Sequence, residues 1–320
     1  MRNKMAEKAR ELAAKFPTHS SRGIAAMLEM EFPGRNKDAY RDAVRYNRGE
    51  KTGRGKYKVS VPIPRINLPE GTKRDYTPME LPDGSVIGIL SDIHIPHHDS
   101  PALECAIDWL VDQEPGVILL NGDILDCYQV SSFDRDPASD SMTDEILKGR
   151  MFLAGLRKVF PKARIIWREG NHEYRLKRFL MSHAPVLLGV ADFEIPHLLR
   201  FAEHRVEWLA DKRIIKAGKL AILHGHELSN GLTAPVNPAR GLWMKFKDSA
   251  IMGHCHQTSE HTEKTGNGKL MGCWTVASLC DLNPPYRPIN NFGHGCALVT
   301  IYKGGDFHVE NKKIIGGKMA

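Results

Sequence analysis

The chain has 320 residues, 42% of them hydrophobic and 26% charged, and a formal net charge of +7. These values are near the average for globular proteins and exclude intrinsic disorder and a collagen-like or coiled-coil composition. No apolar run approaches the roughly 18 residues of a membrane span, and the N-terminus lacks the apolar core of a signal peptide. We therefore expect a cytoplasmic protein with one large domain and room for a small module.

The positive charge is concentrated at the N-terminus. Residues 1–60 contain 15 Lys and Arg against 7 Asp and Glu, a net of +8. The remaining residues contain 30 basic against 31 acidic side chains, a net of −1. Such an asymmetry is typical of a polyanion-binding module joined to a nearly neutral body.

Residues 1–50 predict a small all-α domain of three helices. Apolar residues recur at helical spacing up to Pro17, and Ser20 or Ser21 and then Asn36 are suited to cap two further helices. The domain resembles a helix-turn-helix domain, whose last helix enters the DNA major groove and which often binds as a homodimer. The alternative is a helical bundle whose basic residues face solvent or a protein. The candidate DNA contacts are the basic residues of the third helix, Lys37, Arg41, Arg45 and Arg48.

Residues 51–84 begin with a basic, Gly-rich run and continue through spaced prolines. This composition keeps a segment extended, so it predicts a linker. The larger domain is then expected to span residues 85–320.

From residue 85 onward, short apolar runs end in side chains that can bind metals. The runs are SVIGIL, GVILL, ARIIW, KLAIL and SAIM, and helical patterns follow the first three. This alternation predicts an α/β body, in which the carboxyl ends of the strands converge on one crevice. The side chains expected there are Asp92, His94, Asp123, Asn171, His224, His254 and His256.

These side chains supply mixed nitrogen and oxygen ligands, enough for two divalent transition ions. Asp123 is the best candidate for a shared carboxylate, which would hold two ions about 3.5–4 Å apart. Ions so placed lower the pKa of a bridging water and stabilise the oxygens of a phosphoryl group during in-line attack. The glycines that precede Asp123, Asn171 and His254 are expected to permit the sharp turns that expose these ligands.

Five motifs occur in the order D-x-H, G-D-x-x-D, G-N-H-E, H-G-H and G-H-x-H between residues 85 and about 260. They resemble the motifs of the calcineurin-like metallophosphoesterase superfamily. The resemblance implies an α/β (α+β) metallo-dependent phosphatase fold, in which a two-sheet β-sandwich is flanked by helices. It also implies a two-metal phosphoesterase, with manganese as the expected ion and iron, zinc or nickel as alternatives for this ligand set.

The family's metal ligands transfer onto the matching positions. Asp92, His94 and His256 would bind the first metal. Asn171, His224 and His254 would bind the second. Asp123 would bridge the two.

The resemblance implies further roles around the metals. His172 would lie beside the substrate and protonate the leaving group or stabilise the charged transition state. Glu173 is expected to orient His172 as a neighbouring carboxylate. Asp126 is a candidate partner of the ligands or a loop cap, and His226 a substrate contact or a turn residue. Arg175 is a candidate phosphate contact, with the solvated face of a helix as the alternative.

The basic module makes a DNA nuclease our main expectation. Residues 122–128 lack the arginine of the G-D-x-V-D-R-G motif found in the superfamily's protein Ser/Thr phosphatases, which disfavours that activity. One alternative is a phosphomonoesterase or cyclic-nucleotide phosphodiesterase acting on small molecules. Another is a DNA-binding regulatory protein whose phosphoesterase body is structural.

Overall fold

The computed structural model describes residues 2–50, 68–73, 76–134, 136, 139–228 and 236–320. The chain divides into two compact units, Met1–Lys73 and Arg74–Ala320. Most of the predicted linker, residues 51–67, lies outside the described residues. Within the described part of the chain, no helix is both long enough and apolar enough to cross a membrane.

The described part of the first unit contains three helices, α1 (Arg2–Lys15), α2 (Ser21–Glu31) and α3 (Lys37–Asn47). Ser20 caps α2 and Asn36 caps α3, each by accepting a hydrogen bond from a backbone N–H of the first turn. The three helices share one apolar core, formed by Met5, Ala9, Leu12, Ile24, Ala25, Leu28, Tyr40 and Val44.

The exposed face of α3 carries three of the four predicted basic residues. Lys37 is exposed, and the Arg41 and Arg45 side chains are 40% and 45% exposed. Each arginine has an acidic neighbour, because Arg41 lies 3.5 Å from Asp38 and Arg45 lies 4.0 Å from Glu50. These pairs are solvated and weak, so they leave the arginines free to exchange partners.

The fourth predicted residue, Arg48, has a structural position instead. Its guanidinium donates hydrogen bonds to the carbonyl oxygens of Phe16, at 2.8 Å, and of His19. Only 15% of this side chain is exposed. Arg48 therefore holds the end of α3 against the α1–α2 turn, a structural role that the sequence did not predict for it.

The second unit alternates strands and helices up to α9 and then continues in strands. Its elements in chain order are β1 (Met79–Leu81), β2 (Val86–Leu90), α4 (Ser100–Gln113), β3 (Val117–Leu120), α5 (Met142–Val159), β4 (Arg164–Arg168), α6 (Glu173–His183), α7 (Ile195–Leu198), α8 (Phe201–His204), β5 (Val206–Leu209), β6 (Ile215–Ala217), β7 (Leu220–Leu223), α9 (Pro238–Phe246), β8 (Ala250–Met252), β9 (Ser259–Lys264), β10 (Leu270–Thr275), β11 (His294–Ile301), β12 (Phe307–Ile315) and β13 (Lys318–Met319).

The strands in the described residues form two sheets. Sheet A has the order β1-β6-β7-β8-β10-β9, and sheet B has the order β13-β12-β11-β2-β3-β4-β5. Strands β2 to β5 run parallel, and β11 runs antiparallel beside β2. The strands that follow His256 are divided between the two sheets, with β9 and β10 in sheet A and β11 to β13 in sheet B.

Strand β1 lies inside the segment that the sequence predicted as linker. It pairs in parallel with β6 at the edge of sheet A. With only three residues, and with Pro78 and Pro82 on either side, it carries no strand pattern. An edge position tolerates such flanking prolines, because one side of the strand needs no hydrogen-bond partner.

The second unit is built in four layers. One face of sheet B packs against α4 and α5, and its other face packs against sheet A. Helix α9 covers the outer face of sheet A. The central strands β3 and β7 are buried along their whole length, as expected for strands covered on both faces.

A substitution at Gly88, in the middle of β2, tests the packing of sheet B against α4. A Cβ at this position would lie 2.8 Å from Leu110 Cδ2 and 3.2 Å from Ile118 Cδ1, and both of those side chains are fully buried. We expect Gly88→Ala to lower the free energy of unfolding by about 1–3 kcal/mol through overpacking. Equilibrium urea unfolding followed by circular dichroism measures this change.

Gly155 in α5 is the matched control, because a Cβ there would meet open space. Gly155→Ala should raise the free energy of unfolding by about 0.5–1 kcal/mol, since alanine favours the helix. Equal stability of the two variants would contradict the described contact between β2 and α4.

Candidate metal centre

All seven predicted ligands lie just beyond the carboxyl ends of five strands. Asp92 and His94 follow β2, Asp123 follows β3, and Asn171 follows β4. His224 follows β7, and His254 and His256 follow β8. Five of these side chains line one cavity of about 440 Å³. Asp92 and His224 are fully buried.

The sequence assigned the sharp turns to the glycines before Asp123, Asn171 and His254; Gly122 does adopt a positive φ of 89°, but five of the ligands adopt positive φ themselves. Asp92, His94, Asp123, His254 and His256 have φ values of 55°, 52°, 53°, 65° and 55°. Residues other than glycine rarely adopt this left-handed region, and those that do cluster at functional sites. Asp92 and His94 were expected on the end of a strand, but they lie in irregular backbone beyond β2.

Two of the motif glycines instead allow neighbouring loops to approach closely. A Cβ at Gly170 would lie 2.2 Å from Asp123 Oδ1. A Cβ at Gly253 would lie 2.0 Å from Ser91 Oγ and 2.5 Å from Asp92 Oδ2. Neither position can hold a side chain while the ligand loops remain where they are.

One group of ligands is built around two facing imidazoles. His94 Nε2 lies 3.3 Å from His256 Nε2, which lies 3.3 Å from Asp92 Oδ1. The other ring nitrogens point away, since His94 Nδ1 lies 3.0 Å from Asp126 Oδ1 and His256 Nδ1 lies 3.8 Å from Cys280 Sγ. Such outer partners fix the tautomer and leave Nε2 available to a metal.

A second group surrounds His224. Its Nε2 lies 3.2 Å from Asp123 Oδ2 and 3.3 Å from Asn171 Oδ1, while its Nδ1 lies 2.7 Å from the carbonyl oxygen of Asn121. His254 joins this group, because its ligand atom lies within 4.8 Å of those of Asp123 and His224.

The residues present fit two divalent ions. Asp123 belongs both to a cluster with His94 and to the cluster with His224 and His254, as a shared carboxylate must. Imidazole, carboxylate and amide donors suit manganese, iron, zinc and nickel.

The charges of the cluster favour bound cations. Burial acts to raise the pKa of the Asp92 carboxyl, but the hydrogen bond and charge of His256 lower it to about 2. Burial acts against the charged forms of His224 and His256, but Asp123 and Asp92 raise the pKa of these two rings to about 10. The carboxylates thus require positive charge beside them, and divalent ions meet that requirement.

Glu173 connects two of the ligand loops. Its carboxylate accepts hydrogen bonds from the backbone N–H groups of Asp123 at 3.0 Å, Ile124 at 2.7 Å, Leu125 at 3.1 Å and Gly170 at 2.8 Å. The residue is 1% exposed, and burial together with the charge of Asp123 raises the pKa of its carboxyl. This contact fixes the chain beyond β3 relative to the chain beyond β4.

The prediction that Glu173 orients His172 is wrong, because Asp126 occupies that position. His172 Nδ1 lies 2.9 Å from the carbonyl oxygen of Asp126 and 3.0 Å from its Oδ1. Glu173 opens α6, and its side chain points back to the backbone N–H groups at the strand ends. Asp126 also pairs with His94, so it links the candidate catalytic histidine to the metal cluster.

Arg175 lies beside His172 rather than on the solvated face of α6. Its Nη2 is 3.0 Å from His172 Nε2, and its Nη1 donates to the carbonyl oxygen of Asp126 at 2.9 Å. The side chain is 19% exposed. An arginine is therefore present next to the candidate catalytic histidine, although the G-D-x-x-D motif supplies none.

Sequence reasoning missed a buried ion pair behind His224. The Glu227 carboxylate accepts hydrogen bonds from the backbone N–H groups of His224 at 3.0 Å and Gly225 at 2.6 Å, and it lies 3.7 Å from the guanidinium of Arg168. Arg168 is 1% exposed and also donates to Asn121 Oδ1 at 3.2 Å. A signal was present, since an acid directly follows H-G-H and a charged residue directly follows the apolar run of residues 165–167.

His226 packs beside His224, with ring centroids 5.2 Å apart. Burial and the charge of His224 lower the pKa of its ring to about 4, so it is neutral near neutral pH. The ring is only 10% exposed. Such burial fits the role of a turn residue better than that of a substrate contact.

The model of the calcineurin-like phosphoesterase family matches residues 85–282. The chain belongs to this family. It is therefore a metal-dependent phosphoester hydrolase with a metallophosphoesterase fold.

Similar proteins include a phage protein and solved structures. Gene 54 protein of Mycobacterium phage L5 is 28% identical over 246 residues, which are 73% of this chain and 95% of that protein. Vps29 of Cryptosporidium parvum is 12% identical, with 75% of this chain and 96% of that chain covered and a TM-score of 0.39. The phosphoesterase YfcE of E. coli is 14% identical, with 71% and 98% covered and a TM-score of 0.33.

Replacing Glu173 tests its role in positioning the ligands. In Glu173→Gln, an amide NH₂ would face backbone N–H donors and leave some of them without an acceptor. We expect the free energy of unfolding to fall by about 3 kcal/mol and the bound metal per chain to decrease. Urea unfolding and elemental analysis of the purified protein measure the two effects.

Glu169→Gln is the matched control. Glu169 is also buried, and burial raises the pKa of its carboxyl to about 7, but it makes none of the four hydrogen bonds of Glu173. Its metal content should equal that of the wild type. Full metal content in Glu173→Gln would show that the ligand loops hold their positions without this carboxylate.

Proposed function

We propose that the protein is a metal-dependent nuclease that hydrolyses phosphodiester bonds in DNA, with manganese as the preferred ion. The observation that carries the proposal is a basic helical unit joined to a metallophosphoesterase body. Residues 1–60 hold a net charge of +8, against −1 for the rest of the chain. Positive charge of this kind attracts a polyanion through its phosphates, whatever the sequence of bases.

The residues of the cavity have complementary roles in this reaction. Two divalent ions, held by the seven ligands, would lower the pKa of water and offset the charge of a phosphoryl group. His172 lines the cavity and Asp126 fixes its Nδ1, while its Nε2 faces Arg175 Nη2, so Nε2 would deliver a proton to the leaving oxygen once that arginine has turned to the phosphate. Arg175, 3.0 Å from that nitrogen, can donate to phosphate oxygens.

A body with only a structural role is the less favoured alternative. The complete ligand set, the strained backbone of five ligands and the carboxylate that holds His172 are features that packing alone does not require. A phosphomonoesterase or cyclic-nucleotide phosphodiesterase would use the same cavity, but it would have no need of the basic unit.

Degradation of DNA in the presence of manganese tests the proposal. We expect the wild type to cleave DNA and Asp123→Asn to be inactive, since this change removes the shared carboxylate. Linear and circular substrates, each single- and double-stranded, separate exonuclease from endonuclease action. Survival of all DNA under conditions where the wild type hydrolyses p-nitrophenyl phosphate would contradict the proposal and favour a small-molecule phosphatase.

The exposed basic face of α3 should supply part of the DNA affinity. In a triple variant with Lys37→Ala, Arg41→Ala and Arg45→Ala, we expect weaker binding at low salt. The slope of log affinity against log salt should fall by about 0.9 for each lost phosphate contact. Fluorescence anisotropy with a labelled duplex at several salt concentrations measures both quantities.

A triple variant of the body is the control for charge alone. Lys158, Lys162 and Lys303 are exposed, and alanine at all three removes the same net charge. This control should retain most of the affinity and the slope. Equal losses in the two triple variants would argue against a specific role for α3.

A further inference from the structure

We propose that the loop of residues 281–293, here called the wall loop, binds an unpaired nucleotide beside the metal centre. Tyr286 would stack on its base and Arg287 would contact its phosphate. The inference rests on the proposed nuclease function and names the form of nucleic acid that the cavity accepts.

The wall loop forms one side of the cavity that holds the metal ligands. Tyr286, Arg287, Asn291 and Phe292 line this cavity together with the ligands. The loop contacts the metal centre directly, because the ring centroids of Phe292 and His256 lie 4.5 Å apart. A substrate whose phosphate reaches the ligands therefore has neighbouring groups within reach of the wall loop.

The wall loop is organised before any substrate binds. Asn290 Nδ2 donates to the carbonyl oxygens of Leu282 at 2.7 Å and Arg287 at 2.8 Å, and its Oδ1 accepts from the backbone N–H of Phe292 at 2.8 Å. Prolines at 284, 285 and 288 restrict the backbone further. A fixed loop loses little conformational entropy when it binds a ligand.

The base of the loop is tied to the sheet and to the chain beyond β2. His294 Nε2 lies 2.8 Å from the carbonyl oxygen of Cys280, and the backbone N–H of Asp281 donates to the carbonyl of His97 at 2.8 Å. The loop is thus held by β11 and by the chain beyond β2, which also carries Asp92 and His94.

The side chains on this loop suit a nucleotide. Tyr286 is 77% exposed although it is a large aromatic residue. The guanidinium of Arg287 lies 5.6 Å from the centroid of the Phe292 ring, beside the cavity. Exposed aromatic rings next to arginines bind single strands by stacking on bases and by contacting phosphates.

The same features favour a single strand over a duplex. In a duplex, the faces of the bases are covered by their neighbours, and only phosphates and groove edges are presented. Stacking on Tyr286 therefore requires a base that is unpaired, as in single-stranded DNA or at an open end.

Calorimetric titration of the full-length protein with two tetranucleotides tests the inference. Both carry nuclease-resistant phosphorothioate linkages, and one lacks its bases. We expect Tyr286→Leu to weaken binding of the complete tetranucleotide about ten-fold, a typical effect of losing one stacked base. Binding of the abasic tetranucleotide should not change. Tyr286→Phe should restore the wild-type affinity, because it keeps the ring.

Tyr302→Leu is the matched control, since Tyr302 is 52% exposed and follows β11, at the end of that strand opposite the wall loop. It should bind both tetranucleotides like the wild type. Equal affinity of Tyr286→Leu and the wild type, or equal losses on both tetranucleotides, would overturn the inference.

The DNA degradation assay separates this failure from that of the proposed function. A wild type that degrades DNA while Tyr286→Leu binds normally refutes only the role of the wall loop. A wild type that neither degrades DNA nor binds either tetranucleotide refutes the nuclease proposal, and the wall-loop proposal with it.

Discussion

The buried carboxylate of Glu173 is the contact on which the metal centre depends. Parallel strands leave unpaired N–H groups where they end, and such groups are costly when buried. Glu173 accepts four of them, three beyond β3 and one beyond β4. The same backbone carries Asp123 and Asn171. One side chain thus satisfies the strand ends and sets the distance between Asp123, the candidate shared carboxylate, and Asn171, a candidate ligand of the second metal.

Around this contact, the sandwich holds a backbone that the ligand residues would not adopt alone. Five ligands have positive φ, and a non-glycine residue in this region costs on the order of 1–3 kcal/mol. Strands β2 and β3 are buried on both faces of sheet B, and the apolar packing there stabilises the fold enough to offset this cost. The arrangement aims the ring nitrogens inward, because Asp126 and the carbonyl of Asn121 hold the opposite nitrogens of His94 and His224. Strain and outer hydrogen bonds together preorganise the ligands for cations.

The sequence predicts the main strands and the gathering of the candidate ligands at their carboxyl ends, because both patterns are local. Apolar runs bounded by glycine and polar residues place β2, β3, β4, β7 and β8 within about a residue. What it misses depends on contacts between distant segments. Arg48 reaches Phe16 across 32 residues, and Glu173 reaches Ile124 across 49. Arg168 and Glu227 meet only when β4 and β7 lie in their own sheets. Spacing within a motif contains no information about such partners.

In the proposed nuclease, the distribution of charge would give the two units separate roles. Residues 61–320 have a net charge of −1, and the carboxylate of Asp123 lines the cavity, so the body has little long-range attraction for a polyanion. Attraction would come from the N-terminal unit, and it would weaken steeply as salt rises. Stacking on the wall loop is a short-range contact that salt affects little. Capture of DNA and placement of a nucleotide at the metals would therefore respond differently to ionic strength. A rise in salt should lower the rate of encounter while leaving unchanged the preference of the cavity for an unpaired base.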